Sequence, residues 1–247
     1  MPEPYDFRSP RLFVEADLGN GAIVPLAREQ ANYLLNVLRL GNGDGVLVFN
    51  GRDGEWYAGI EVAGKRSANL VLEKQMRPQT GGPDLHYLFA PLKRARLDYM
   101  VQKATEMGVA RLQPVLTRYT VAERVNGERM RANVIEAAEQ CGILRVPEVT
   151  APERLEKVLA SWDAGRRLIF CDEGAPTADP IAALRGIGPG PLAVLIGPEG
   201  GFAPEEREAL VAQPYVVRIA MGPRIMRADT AAVAALTLVN AVLGDWR

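Results

Sequence analysis

The chain has 247 residues, 48% of them hydrophobic and 24% charged, with a formal net charge of −1 at pH 7; this is enough apolar material for a sizeable core in one or two domains and too little positive charge for indiscriminate nucleic-acid binding. Two cysteines, Cys141 and Cys171, and one histidine, His86, argue against a disulfide framework, a metal cluster and a Ser-His-Asp triad, so no metal site is expected. No run approaches the about 20 apolar residues of a membrane span and the opening MPEPYDFRSPR has no apolar signal core, which makes the cytoplasm the expected location.

Residues 1–75 read as a small β-rich domain with one helix near its start. Ala31, Leu34, Leu35 and Leu38 recur at i, i+3, i+4 and i+7, the mark of one helical face, and the turn-rich GNGDG from Gly41 to Gly45 ends it. VLVFNG, EWYAGIEV and ANLVLEK follow, separated by RDG and AGKRS. That pattern predicts antiparallel strands between Val46 and Lys74, packed as a small barrel. The Pro- and Gly-rich stretch 76–84, within QMRPQTGGPD, reads as a linker.

From Leu85 to the end, 85–247, strand and helix signals alternate. LHYLFAP is strand-like; Leu97, Met100, Val101, Ala104 and Met107 form a helical stripe that stops at Gly108. ARLQPVL, Leu168 to Cys171, Leu192 to Ile196 and Tyr215 to Ala220 are predicted strands, and Glu128 to Gly142 a helix. This is α/β grammar with a mostly parallel sheet. The final helix, with Val233, Leu236, Val239 and Leu243 on one face, is expected to start at Ala228 or Asp229, with Asp229 a suitable cap.

The overall charge hides a segregation. Residues 93–145 hold ten Lys and Arg against six Asp and Glu, residues 146–217 six against eleven, and residues 218–247 four against two. Neither a dinucleotide-binding GxGxxG nor a P-loop is present. Instead LIGPEGGFAPEE (195–206) and MGPRIMRADTAAV (221–233) each place Gly and Pro between a predicted strand and a predicted helix. Open parallel sheets hold their ligands at such strand ends. Gly197, Gly200 and Gly201 leave main-chain groups accessible, beside Pro198 and Glu199; Ile196, Met221, Ile225 and Met226, with Gly222, offer apolar walls. Thr230 lies in the first turn of the last helix, where a hydroxyl and the helix N-terminus can meet a polar ligand group.

These two loops, with KATEMGV (103–109), EAAEQCG (136–142), a PR at Pro10–Arg11 and VLRLGNGD (37–44), resemble the RsmE-type 16S rRNA uracil-N3 methyltransferases of the SPOUT superfamily. The resemblance spans nearly the whole chain. It implies a C-terminal α/β methyltransferase domain tied in a trefoil knot, an exception among protein topologies, and a small N-terminal PUA-like β-barrel for RNA. It further implies S-adenosylmethionine as cofactor, bent between the two loops, and a homodimer acting on 16S rRNA, within the small ribosomal subunit.

In such a reaction Arg224 and Arg227 are candidates to stabilise a uracil anion, and Asp229 and Glu199 to receive the N3 proton. Arg8, Arg11, Arg39, Lys93, Arg94 and Arg96 are candidates for RNA phosphates. Tyr33, Phe49, Trp56 and Tyr57 are aromatic groups able to stack on a base, with Phe49 and Trp56 better suited to barrel core. The chain departs from the family pattern at Tyr33, Ile143 and Ala228–Asp229. The alternatives are a SPOUT enzyme for another RNA position or a ribose hydroxyl, and a ribosome-assembly protein that binds RNA without turnover.

Overall fold

The computed structural model describes residues 9–122, 124–176 and 179–246; Arg8 lies outside them. The chain divides into two compact units, the residues up to Gly81 together with Ala138–Val146, and Gly82–Ala137 together with the residues from Pro147 onward. The division falls inside the expected linker 76–84, whose first two residues still belong to a strand.

The first unit is a five-stranded sheet in the order β1-β3-β4-β5-β2, with β1 at Arg11–Phe13, β2 at Ile23–Pro25, β3 at Gly45–Phe49, β4 at Glu55–Gly64 and β5 at Ser67–Arg77. β1 runs parallel to β3; the other pairs are antiparallel. Inward positions alternate along the strands: Ala58 and Ile60 on β4, and Ala68, Leu70 and Leu72 on β5, join Leu12, Val14, Val24, Val46 and Val48 in one core. Phe49 is fully buried and so closed to a base, and Trp56 packs, partly buried, on that core.

Helix α1 at Arg28–Asn32 continues into a π-helical turn, Tyr33–Val37, and together they seat Ala31 and Leu34 in the core. The helix does not run on to Gly41. The Leu38 N–H bonds the Tyr33 carbonyl and the Leu40 N–H the Leu34 carbonyl, both at 2.9 Å. Arg39 takes the left-handed position, φ +59°, that glycine usually fills after a helix.

Arg11 is 8% exposed and Glu55 is 2% exposed. Arg11 Nε donates to Glu55 Oε1 at 2.8 Å, and Arg77 Nε and Nη2 donate to the same carboxylate at 2.8 and 2.9 Å. Arg11 is therefore corrected from a phosphate contact to a structural cation: its guanidinium is committed inside the unit.

The second unit is built on a parallel sheet ordered β12-β10-β11-β6-β7-β8. Its strands are β6 at Leu85–Phe89, β7 at Arg111–Leu116, β8 at Glu148–Val149, β10 at Arg167–Cys171, β11 at Leu192–Ile196 and β12 at Val216–Ile219; β9, Glu153–Arg154, pairs with β7 off this path. β11 is buried along its whole length, as a central strand of a covered parallel sheet must be. The helices are α2 at Arg94–Glu106, α3 at Gly127–Cys141, α4 at Leu155–Ala160, α5 at Pro180–Arg185, α6 at Pro204–Val211 and α7 at Ala228–Val242. The α2 and α7 pairing is fixed by Asn240, whose amide donates to the Met107 carbonyl at 2.8 Å.

The last helix starts at Ala228 with Arg227 in the capping position, and no side chain caps it. Asp229 sits one step too late. It lies inside the first turn, where its Oδ1 accepts from the Thr230 N–H at 3.0 Å.

His86, near the start of β6, packs among Asp84, Arg166, Arg111 and Glu148. Burial, then the two arginines, push its pKa from 6.5 down to about 4 against the opposing carboxylates. The unfolded chain therefore takes up a proton before the folded one does, and stability falls as pH drops from 6.5 toward about 4. As the sole histidine, it gives this window its own signature: urea titrations of His86→Gln should lose the slope between those values. In the first unit, Glu55→Ala should cost about 3–5 kcal/mol in urea denaturation because it strips two guanidinium groups of their buried carboxylate, whereas Glu61→Ala on an exposed position should stay within about 0.5 kcal/mol.

Candidate functional site

β10, β11 and β12 are neighbours in the sheet, so the loops at their C-terminal ends converge. They enclose a cavity of about 450 Å³ lined by Phe170–Gly174, Ile196–Phe202, Arg207, Ile219, Met221, Gly222, Arg224–Met226, Ala228 and Ala231. This lies in the size range of small-molecule sites, about 300–1,000 Å³.

The loop after β11 is folded on itself. The Gly201 N–H bonds the Pro198 carbonyl at 2.9 Å, and Gly201 holds φ +72°, a conformation that favours glycine. Gly197 has no side chain for a different reason: a Cβ there would lie 2.4 Å from the Phe202 ring. That ring turns back to pack edge-on against Phe170 of β10, 5.1 Å between centroids. The Glu206 carboxylate completes the loop, accepting the Ala203 N–H at 3.0 Å and the Arg118 N–H at 2.8 Å.

The loop after β12 turns at Gly222, φ +92°, and leaves Ile225 87% exposed. The loop after β10 is anchored by Asp172, a buried carboxylate between Arg207 and Arg218. Burial pushes the Cys171 thiol up to about 12, which removes it as a nucleophile.

A second, wider cleft of about 1,430 Å³ opens between the N-terminus of α2 and residues 121–122 and 124–130. Among the described residues Lys93, Arg94, Arg96, Arg124 and Arg129 line it, with two carboxylates, Asp98 and Glu199. Arg129 pairs with Asp98 at 2.6 Å and Arg96 with Glu199 at 3.0 Å. Hydrogen bonds and charge from Arg129 hold the Asp98 carboxyl below its usual range. Lys93, Arg94 and Arg124 make no ion pair among the described residues. Glu199 lines both the cleft and the three-loop cavity.

Of the residues expected to hold a cofactor, Ile196, Gly197, Pro198, Glu199, Gly200, Gly201, Met221, Gly222, Ile225 and Met226 line the cavity, as does Arg224. Thr230, Arg227 and Asp229 do not. Thr230 is exposed, and Arg227 stands 3.8 Å from Asp229 at the helix start. Lys93, Arg94 and Arg96 come together in the cleft, while Arg39 is an exposed residue of the other unit.

The sequence reading missed the loop after β10, although CDEG follows the apolar run LIF and is the same strand-then-turn signal that marked the other two. It also missed Arg124 and Arg129. They are separated in sequence from Lys93, and only the fold brings them to it.

Among the described residues no group of three or more His, Cys, Asp or Glu side chains is arranged to hold a metal, and no helix is long and apolar enough to cross a membrane.

Residues 80–240 match the family model of an RNA methyltransferase domain, and residues 26–73 that of an RNA methyltransferase PUA domain. The chain is 29% identical to the ribosomal RNA small subunit methyltransferase E of Rickettsia conorii, covering 93% of this chain and 94% of that one. It is 30% identical to the Synechocystis protein of the same name, covering 94% and 78%. In structure it resembles a putative methyltransferase from Legionella pneumophila in complex with the cofactor S-adenosylmethionine, with TM-score 0.84 and 27% identity over 96% of this chain and 99% of that one. The ribosomal RNA small subunit methyltransferase E of Neisseria gonorrhoeae, bound to S-adenosyl methionine, shares the fold with TM-score 0.87 at 24% identity, over 97% of this chain and the whole of that one.

The tightest contact in the cavity wall makes a stability prediction. Gly197→Ala should cost about 1–3 kcal/mol by urea denaturation, because the new methyl drives Phe202 off Phe170. In the double-mutant cycle, Phe202→Ala should remove most of that cost.

Proposed function

Because the chain belongs to the RNA methyltransferase family, among the ribosomal RNA small subunit methyltransferases E, we propose that it methylates N3 of one uridine in 16S rRNA of the small ribosomal subunit, as a homodimer using S-adenosylmethionine. Methylation of ribosomal RNA from this cofactor is the activity of that family. The uridine N3 position, the assembled subunit and the dimer are the finer reading. One observation supports methyl transfer to RNA at this site: a small-molecule cavity and a cationic cleft fit for a polyanion meet at Glu199.

The residues present fit the cofactor. Gly200 and Gly201 keep the main chain of the β11 loop bare at the cavity, Gly222 does so in the β12 loop, and Ile196, Met221 and Met226 supply apolar walls. Bound there, S-adenosylmethionine supplies a methyl group already activated on a sulfonium. The protein's task is then positioning, which saves as much as about 7–11 kcal/mol in well-oriented intramolecular reactions.

Uracil N3 carries an imide proton that must leave as the nitrogen takes the methyl. Glu199 is better placed than Asp229 to receive it, since it lines both spaces whereas Asp229 lines neither. Arg224, exposed on the cavity wall, is assigned to the negative charge on the uracil. Arg227 and Asp229 are assigned to the start of α7 instead.

Lys93, Arg94 and Arg124 receive phosphates. In the first unit Arg39 is the corresponding candidate, an exposed arginine held at positive φ beyond a π-helical turn, a combination of strained features that clusters at functional sites. The dimer is supported by apolar side chains left open near the cavity and cleft: Ile225, Val121, Tyr119 and Tyr99 are all exposed, as interface residues are before a partner covers them.

The test is nucleoside mass spectrometry of initially unmodified small subunits after incubation with the protein and S-adenosylmethionine. 3-Methyluridine is the expected product. A different methylated nucleoside would move the assignment to another position or to a ribose hydroxyl, and no methylation with intact cofactor binding would leave an RNA-binding assembly protein. Arg224→Ala should lower kcat by about 10²-fold, the order lost when one charge-stabilising donor is removed, with cofactor affinity little changed.

A further inference from the structure

Asp172 is 7% exposed and lies at the meeting point of all three segments that wall the cavity. Its Oδ1 accepts from Arg207 Nε and from the Gly174 N–H, each at 3.1 Å; its Oδ2 accepts from Arg207 Nη2 at 3.1 Å and from Arg218 Nε at 2.7 Å. The Gly174 carbonyl accepts from both guanidinium groups as well. Arg207 belongs to α6, directly after the Gly197–Phe202 loop; Arg218 belongs to β12, directly before the Met221–Met226 loop. Asp172 itself follows β10, and its N–H is bonded to the Ile219 carbonyl at 2.9 Å.

One carboxylate thus fastens three chain segments, alongside the Gly174 carbonyl and the Phe202–Phe170 ring contact. Burial alone would raise the Asp172 pKa, yet the two arginines and the Gly174 amide leave it lowered, so the group stays charged where the clamp needs it. Glu173 and Gly174, next along the chain, are exposed and line the cavity. Their placement depends on this clamp.

We infer that Asp172 is a positioning residue for the cofactor: clamped to Arg207 and Arg218, it holds the three loops in their binding arrangement before the cofactor arrives. The inference rests on the cofactor reading of the cavity. Preorganised loops spare the ligand the cost of ordering them on binding. The clamp therefore acts first on cofactor affinity, and on turnover only through the loops that carry Glu199 and Arg224.

Calorimetric titration of the full chain with S-adenosylmethionine tests this, together with steady-state kinetics on small subunits. Asp172→Asn should bind the cofactor at least about tenfold more weakly, with its KM raised in step and kcat at saturating cofactor lowered by a smaller factor than KM is raised. Arg207→Gln, at a partly exposed arginine that leaves Arg218 on the carboxylate, should weaken binding by a smaller factor and keep the fold if Asp172→Asn does not. A folded Asp172→Asn with unchanged affinity would overturn the inference. So would a fall in kcat with KM unaltered, or, if Asp172→Asn fails to fold, an Arg207→Gln variant that binds as the parent does. Failure of the unsubstituted chain to bind S-adenosylmethionine would instead remove the cofactor reading, and the inference with it.

Discussion

The position of β11 governs everything functional in the second unit. It is the penultimate strand in sequence, yet it is placed between β6 and β10 and buried on both faces. Had it been added at the far edge, beyond β8, the loops after β10 and β12 would still adjoin, but the Gly197–Phe202 loop would lie away from them. Insertion at the centre sets three consecutive strand ends side by side at the carboxyl edge of a parallel sheet, the edge at which such sheets bind ligands. Gly197 and Phe202 then lock the central loop to β10 through Phe170. The glycine there serves the packing of an aromatic ring, while Gly201 and Gly222 serve the backbone.

Carboxylates are used in two distinct ways. Glu55 and Asp172 are buried, each between two guanidinium groups. Pairs of this kind add little net stability over an apolar replacement but are costly to break, so what they give is a fixed geometry. Glu199 and Asp98 hold their arginines in the open cleft, where such a pair is worth about 0–1 kcal/mol. The first kind sets where the chain runs. The second can exchange partners when a phosphate arrives, with little loss to the fold.

Much of this architecture is legible in the sequence. The strands of the second unit fall where short apolar runs are bounded by Gly and Pro, and both glycine loops sit at the cavity. The shorter elements are harder to see. α5 is announced only by Asp179 and Pro180, a cap whose carboxylate accepts two amide N–H groups, and β8 and β9, two residues each, are too short to show a period. Arg11 and Arg39 show the limit more sharply. Both are arginines beside apolar neighbours in the sequence, PRLF and VLRL, yet one is sealed against Glu55 and the other stands exposed at positive φ. The difference comes from a partner 44 residues away, and periodicity carries no long-range pairing.

Charge explains how a chain of net charge −1 can serve RNA. Among the described residues five cations and two carboxylates line the cleft, and the acidic excess of the chain lies largely in residues 146–217, beyond the cleft's basic helix. Three of the cations are not tied to carboxylates among the described residues. On a single strand each phosphate contact contributes about 0.7 to the salt slope, so three give a slope of about two, far below that of proteins that bind nucleic acid chiefly through charge. From charge alone such a cleft contributes a modest, weakly salt-dependent share of RNA affinity. Under the proposed function, that modest grip suits an RNA whose folded shape supplies the rest of the recognition.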